Sequence, residues 1–252
     1  MTAAADLAPF ELSGVVYLLQ PAGYAVSNLD ELLSRIAAAD VETVFLHTQM
    51  SRLRPHADEA VPVDDLSHWV RSVVHDAATA ERLAFAITSA SHEVEEVRAA
   101  IVRVLEAIPQ RARTEHAAPP GGALVLMRFD LVDVPSGVVA RTPSELIEAL
   151  VNSDRITWFH HLIEEAWLRP GPIPITEWLR AAGSPRLADI LEREVESSRS
   201  VDQVRARTLR RWRRSRIASR LAEAARKGGA DPADAQEAAE RLARKIAGKD
   251  HP

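Results

Sequence analysis

The chain has 252 residues, 46% hydrophobic and 27% charged, with a formal net charge of −5. This is globular composition, enough for one large or two small domains, and the overall acidity excludes a protein that binds nucleic acid through its bulk charge. It has no cysteine, which excludes disulfides, thiolate metal sites and cysteine nucleophiles, and no uninterrupted apolar run approaching the roughly 18 residues of a membrane span.

Met1–Pro9 lacks a basic segment and an apolar core, so no secretory signal is expected there and a cytoplasmic location is. Phe10–Leu19 is an apolar run that predicts a strand. Pro21-Ala22-Gly23 predicts a turn, and Tyr24–Val26 a second strand closing a hairpin. Asn28 or Ser27 caps a helix at Leu29–Ala38, and Asp40 caps another at Val41–Leu53 that stops at Leu53-Arg54-Pro55. A short helix holds Trp69, and Ala78–Phe85 and Val94–Ile108 follow as helices. Gln110–Gly122, with Pro119-Pro120-Gly121-Gly122, reads as a linker.

The same order then recurs. Leu124–Val134 is a strand, Pro135-Ser136-Gly137 a turn, and Val138–Ala140 the return strand. Thr142 and Pro143 open a helix at Ser144–Val151, Asp154 opens the next, and Leu168-Arg169-Pro170 ends it. A Trp178 helix, Pro185–Glu196 and Val201–Ala225 complete the half. Leu19–Thr48 aligns without gaps on Asp133–Leu162 at an offset of 114, matching Pro21 with Pro135, Gly23 with Gly137, Asp40 with Asp154, Phe45 with Phe159 and His47 with His161. One residue of slippage later, Leu53-Arg54-Pro55 meets Leu168-Arg169-Pro170. The first half carries an unmatched insertion near His56–Val61.

The order hairpin, Glu-Leu helix (Glu31-Leu32 and Glu145-Leu146), Phe-x-His and separate Trp-containing segment resembles the prokaryotic domain of unknown function 5752, in two tandem copies over about residues 9–200. The family is uncharacterised, so the resemblance implies no activity.

Two groups of residues are candidates for chemistry. His47 and His161 are repeated, and imidazole serves as ligand or general base near neutral pH. The plainer reading is a helix histidine that packs its ring and bonds a backbone group or a carboxylate. His160 with Glu164 and His161 with Glu165 are each four apart and share a helix face. The first half has Leu46, Met50 and Ser51 at the matching places, and zinc wants three or four ligands, so a surface ion pair is expected rather than a metal site, and no cofactor is implied. Trp69 and Trp178 read as core. Gly-x-Gly-x-x-Gly, Gly-x-Ser-x-Gly and His-Glu-x-x-His signatures are absent from the sequence.

The second group is a cluster of seven arginines in residues 205–216. Residues 199–227 carry a net charge of +9, leaving −14 on the rest of the chain. Arg207, Arg210, Arg211, Trp212, Arg213, Arg214 and Arg216 are therefore the expected partner- or anion-binding residues, able to meet an acidic protein, to track phosphates or to fold back on the body. Val201, Val204, Thr208 and Trp212 line one helix face, and Ile217, Leu221 and Ala224 nearly the opposite one. Gly228-Gly229 breaks the helix, and Asp231-Pro232 starts another, making a terminal helical hairpin and a candidate oligomer contact.

The expected fold is α+β and mainly helical: two pseudo-symmetric hairpin-plus-helices repeats, their hairpins pairing into one small antiparallel sheet or standing as adjacent lobes, with a C-terminal helical hairpin. Boundaries fall at 1–112, a linker at 113–122, 123–200 and 201–252. The expected function is a non-enzymatic accessory protein docking a larger partner through its Arg-rich helix. Nucleic-acid binding and a metal- or histidine-dependent enzyme are the alternatives.

Overall fold

A computed structural model describes residues 7–53, 64–90, 93–169, 171–198 and 200–227, together with 237, 238 and 241. The His56–Val61 insertion and nearly all of the second arm of the terminal hairpin lie outside the described residues. The fold is mainly helical, with one two-stranded antiparallel sheet.

The sheet departs from the expected hairpins. Each apolar run continues through its Pro-x-Gly as a single 17-residue strand, β1 (Phe10–Val26) and β2 (Leu124–Ala140). The Pro-x-Gly segments are bulges, not turns: the register jumps between Leu12 and Ser13 and between Pro21 and Ala25. Gly23 and Gly137 have φ of 89° and 72°, the left-handed backbone that a bulge residue needs and glycine adopts at little cost. The strand therefore bends instead of reversing, because the apolar partner it needs is the matching strand of the other half.

The pairing is two-fold. Phe10 faces Ala140 and Val26 faces Leu124, positions related by the offset of 114 seen in sequence. Tyr17 and Leu131, themselves counterparts, face each other at the centre, so the pseudo-dyad passes between them.

The helices follow their sequence signals. Asn28 Oδ1 accepts from the Glu31 amide at 2.8 Å and caps α1 (Leu29–Ala38), while Thr142 caps α7 (Pro143–Asn152). Glu31 and Glu145 reach back to the amides of Ser27 and Arg141. Asp40 and Asp154 cap the next helices by accepting from Thr43 and Thr157, both at 2.8 Å. In the first half this gives α2 (Val41–Gln49), tightening to a 3-10 turn at Met50–Leu53. α3 (Asp65–Ser72), α4 (Ala77–Ser89) and α5 (Val94–Glu106) follow. The proline-rich connection contains α6 (Gln110–Glu115), whose Arg113 is salt-bridged to Asp30 at 2.8 Å.

In the second half, α8 (Arg155–Phe159) opens into a π-helical turn at His160–Glu164 and closes as α9 (Glu165–Leu168). The Glu165 amide bonds the His160 carbonyl, five residues back. The wide turn here and the tight 3-10 turn in the first half absorb the one-residue slippage of the repeat. α10 (Pro174–Ala181), α11 (Pro185–Ser197) and α12 (Val201–Lys227) complete the chain.

The halves interlock. α2 packs on β2, and α8 on β1. Trp69 donates its indole N–H to the Gly122 carbonyl and Trp178 to that of Ala8, both at 2.8 Å, and these acceptors are also 114 apart. One core, including Leu12, Leu32, Phe45, Leu126, Phe129, Leu146 and Phe159, runs through both halves.

Candidate functional site

The repeated histidines serve the sheet. The amide of Ser13 donates to His161 Nε2 at 3.0 Å, and the amide of Met127 to His47 Nε2 at 2.9 Å. Ser13 and Met127 are counterparts, each facing a repeated proline (Pro135 or Pro21) beside a bulge. A bulge interrupts the ladder here, so the amide of the residue opposite loses its strand acceptor and needs another. A backbone amide can only donate, so Nε2 must be the bare nitrogen of each ring and the proton of the neutral ring resides on Nδ1. His47 Nδ1 then faces Asp65 at 3.2 Å, and His161 Nδ1 faces Glu165 at 3.4 Å.

Around His160 the halves differ. Tyr17, on the pseudo-dyad, donates its hydroxyl to Glu164 Oε2 in a short hydrogen bond. Glu164 Oε1 lies 3.5 Å from His160 Nδ1, and His160 Nε2 lies 3.8 Å from Asp133. Burial, then the adjacent Glu164 charge and its hydrogen bond, push the Tyr17 phenol well above its ordinary range, so it stays a donor. His160 and Glu164 are 2% and 4% exposed. These are not surface ion pairs, as the helix spacing alone had implied: the π turn rotates His160, His161, Glu164 and Glu165 into the interior, under β1. Close by, Arg52 lies over the Trp167 ring at 5.4 Å, and burial lowers its guanidinium to about 10.

Every polar member of this chain has an apolar counterpart. Tyr17 answers to Leu131, Asp133 to Leu19, His160 to Leu46 and Glu164 to Met50. The same scaffold positions are thus filled by hydrocarbon in one half and in the other by a polar cluster, buried at His160 and Glu164 and exposed at Asp133. Tyr17, Asp133 and Arg52 are not among the residues singled out in sequence, because neither repetition nor helix spacing links them to His160. The signal for them lay in the same alignment, at the positions where it fails.

His160, His161 and Glu165 offer three atoms within 4.8 Å of one another, the minimum protein set for zinc. The chemistry of His161 fits this poorly. Its Nε2 is held by the Ser13 amide and its Nδ1 carries the proton, so a metal would have to displace one or the other.

The arginines divide. Val201, Val204 and Thr208 are buried and seat α12 on the body, helped by Arg155–Asp202 at 2.7 Å. Arg205 donates to the Val151 carbonyl at 2.7 Å. Arg211 and Arg207 reach the buried Glu194 at 2.5 and 3.9 Å. Trp212 is half-buried against the core, and Arg214 is half-buried. Arg210 and Arg213 are exposed, and the side chain of Arg216 lies outside the described residues. The first half of the cluster is therefore anchored to the acidic body, with part of its charge turned outward. Ile217, Leu221 and Ala224, on the opposite stripe, also lie outside the described side chains.

A scaffold of two interlocked helical halves on one bent ribbon defines the class. The chain belongs to the DUF5752 family, a family of unknown function, whose model matches residues 7–211 in one stretch through both halves. The fold is similar to that of OrfY from Thermoproteus tenax, with a TM-score of 0.66 and 23% identity over 83% of this chain and 95% of that one. No curated protein matches the sequence. Among the described residues no helix is long and apolar enough to cross a membrane.

Proposed function

We propose that this is a non-enzymatic accessory protein that docks an acidic partner through the outer face of α12, with the two repeats acting as a rigid mount. The supporting observation is the division of the arginines: Arg205, Arg207 and Arg211 hold the helix to the body, while Arg210 and Arg213 face outward. A rigidly seated helix presents charge at fixed positions, which favours specific docking over diffuse attraction. The whole DUF5752 match is then a duplicated pair of units, and a cytoplasmic location follows from the composition.

The test compares wild type with R210A/R213A in capture from the protein's own cell extract at low and high salt. Retention that is lost in the variant and in high salt agrees with the reading; a partner held equally by both proteins contradicts it. Retardation of a DNA or RNA probe at low salt would reassign the face to nucleic acid.

A second reading rests on the Tyr17–Glu164–His160–Asp133 chain, whose polar members have no counterpart in the other half. The buried His160, whose Nδ1 has no hydrogen-bond partner among the described residues, is the group that a histidine-dependent site would use.

A further inference from the structure

A groove of about 800 Å³ lies between the end of β2 and α7, a size usual for a ligand or side-chain pocket. Its floor is apolar, with Leu12, Val134 and Val138, and its rim carries Arg141, Glu145 and Glu148. The pseudo-dyad explains why it exists. At the equivalent place in the first half the Arg35 guanidinium stacks over the Tyr24 ring at 4.8 Å. The counterparts of those two residues are Ala149 and Val138. Arg128, in the same stretch of the first-half surface, answers to Gly14. No backbone constraint demands that glycine, since a Cβ there would meet only the Val134 carbonyl, at an ordinary 3.8 Å.

The charge changes as well. Where the first half has Ser34 and Ser27, the groove has Glu148 and Arg141, so a carboxylate and one cation have been gained where two cations and a ring have been lost. The first half thus displays what fits this space, and the second half presents the space open with an acid added.

We propose that this groove is a docking site for an arginine side chain flanked by an aromatic ring, supplied by a partner polypeptide. The ring would lie on the Val134–Val138 floor and the guanidinium toward Glu148, reproducing the Tyr24–Arg35 stack between two molecules.

The probe is a blocked Tyr-Arg-Gly-Tyr-Arg peptide titrated into the full chain and followed by amide chemical shifts, with Tyr-Gln-Gly-Tyr-Gln as control. Shifts confined to residues 12–14 and 134–157, at least tenfold weaker binding by E148S, and loss of binding by V138Y/A149R are expected. The latter variant fills the groove with the first-half pair and should melt no lower than wild type. Absence of binding, shifts elsewhere, equal binding of the glutamine peptide, or undiminished binding by E148S would overturn the proposal. Concentration-dependent dimerisation of wild type that V138Y/A149R abolishes would also overturn it, by making a second copy the occupant.

Discussion

At the residue scale, the two bulges leave two equivalent amides to be satisfied, and a histidine from the opposite half takes each. Removing the ring strands a backbone donor in a buried site, which costs about 1–3 kcal/mol, with lost packing against Phe10 adding to it for His161. H161A and H47A should each lower stability to urea by at least that much; an unchanged midpoint for either would refute the acceptor role. The repetition of both histidines was legible in sequence. Their partners were not, because the bulges that create the need were read as hairpin turns. Pro-x-Gly is compatible with either, and the choice depends on a strand more than 100 residues away.

At the element scale, capping and periodicity placed most helices well: α1 begins and ends where Asn28 and the Leu-Leu-Ile stripe predict. The π turn was not legible. Helical spacing pairs His160 with Glu164 and His161 with Glu165 whichever way the face points, so the spacing could not say that both pairs turn inward. The second half also has an exposed electrostatic tie between α10 and α11. Arg180 hydrogen bonds, opposed by burial and joined by the Thr176 hydroxyl, hold the Glu192 carboxyl below its usual range. A lowered carboxylate stabilises the fold above its unfolded pKa and loses that contribution as pH falls through the folded one. Acidification below the ordinary glutamate range should therefore loosen the α10–α11 pair. E192Q should be less stable at neutral pH and lose less stability on acidification; identical pH profiles would remove this tie from the account.

At the scale of the whole molecule, the exchange of contacts makes each half dependent on the other. β1 has its ladder partner in the second half, Trp178 bonds the Ala8 carbonyl, and each repeated histidine bonds across the dyad. Residues 1–122 and 123–252 expressed separately should lack cooperative unfolding, and the full chain should unfold in one transition. Two separated transitions would contradict the interlocked scaffold. Duplication was visible in sequence because Pro, Gly, Asp, Phe and His recur in order. Interlocking was not, since a repeat is equally compatible with side-by-side lobes.

Interlocked symmetry also gives meaning to its exceptions. If the scaffold needs only apolar side chains around the dyad, as the first half supplies, then the polar chain at Tyr17, Asp133, His160 and Glu164 is kept for a purpose other than stability. The most direct test replaces these four by their own counterparts, Y17L/D133L/H160L/E164M, and measures the free energy of unfolding by urea. Exchange of a buried polar pair, here His160 and Glu164, for hydrocarbon of fitting shape is often neutral or stabilising by about 1–4 kcal/mol, and no buried charge is left behind at the exposed Asp133. The variant should fold and be at least as stable as wild type. A variant that is unfolded, or destabilised by several kcal/mol, would show the cluster to be structural and contradict it.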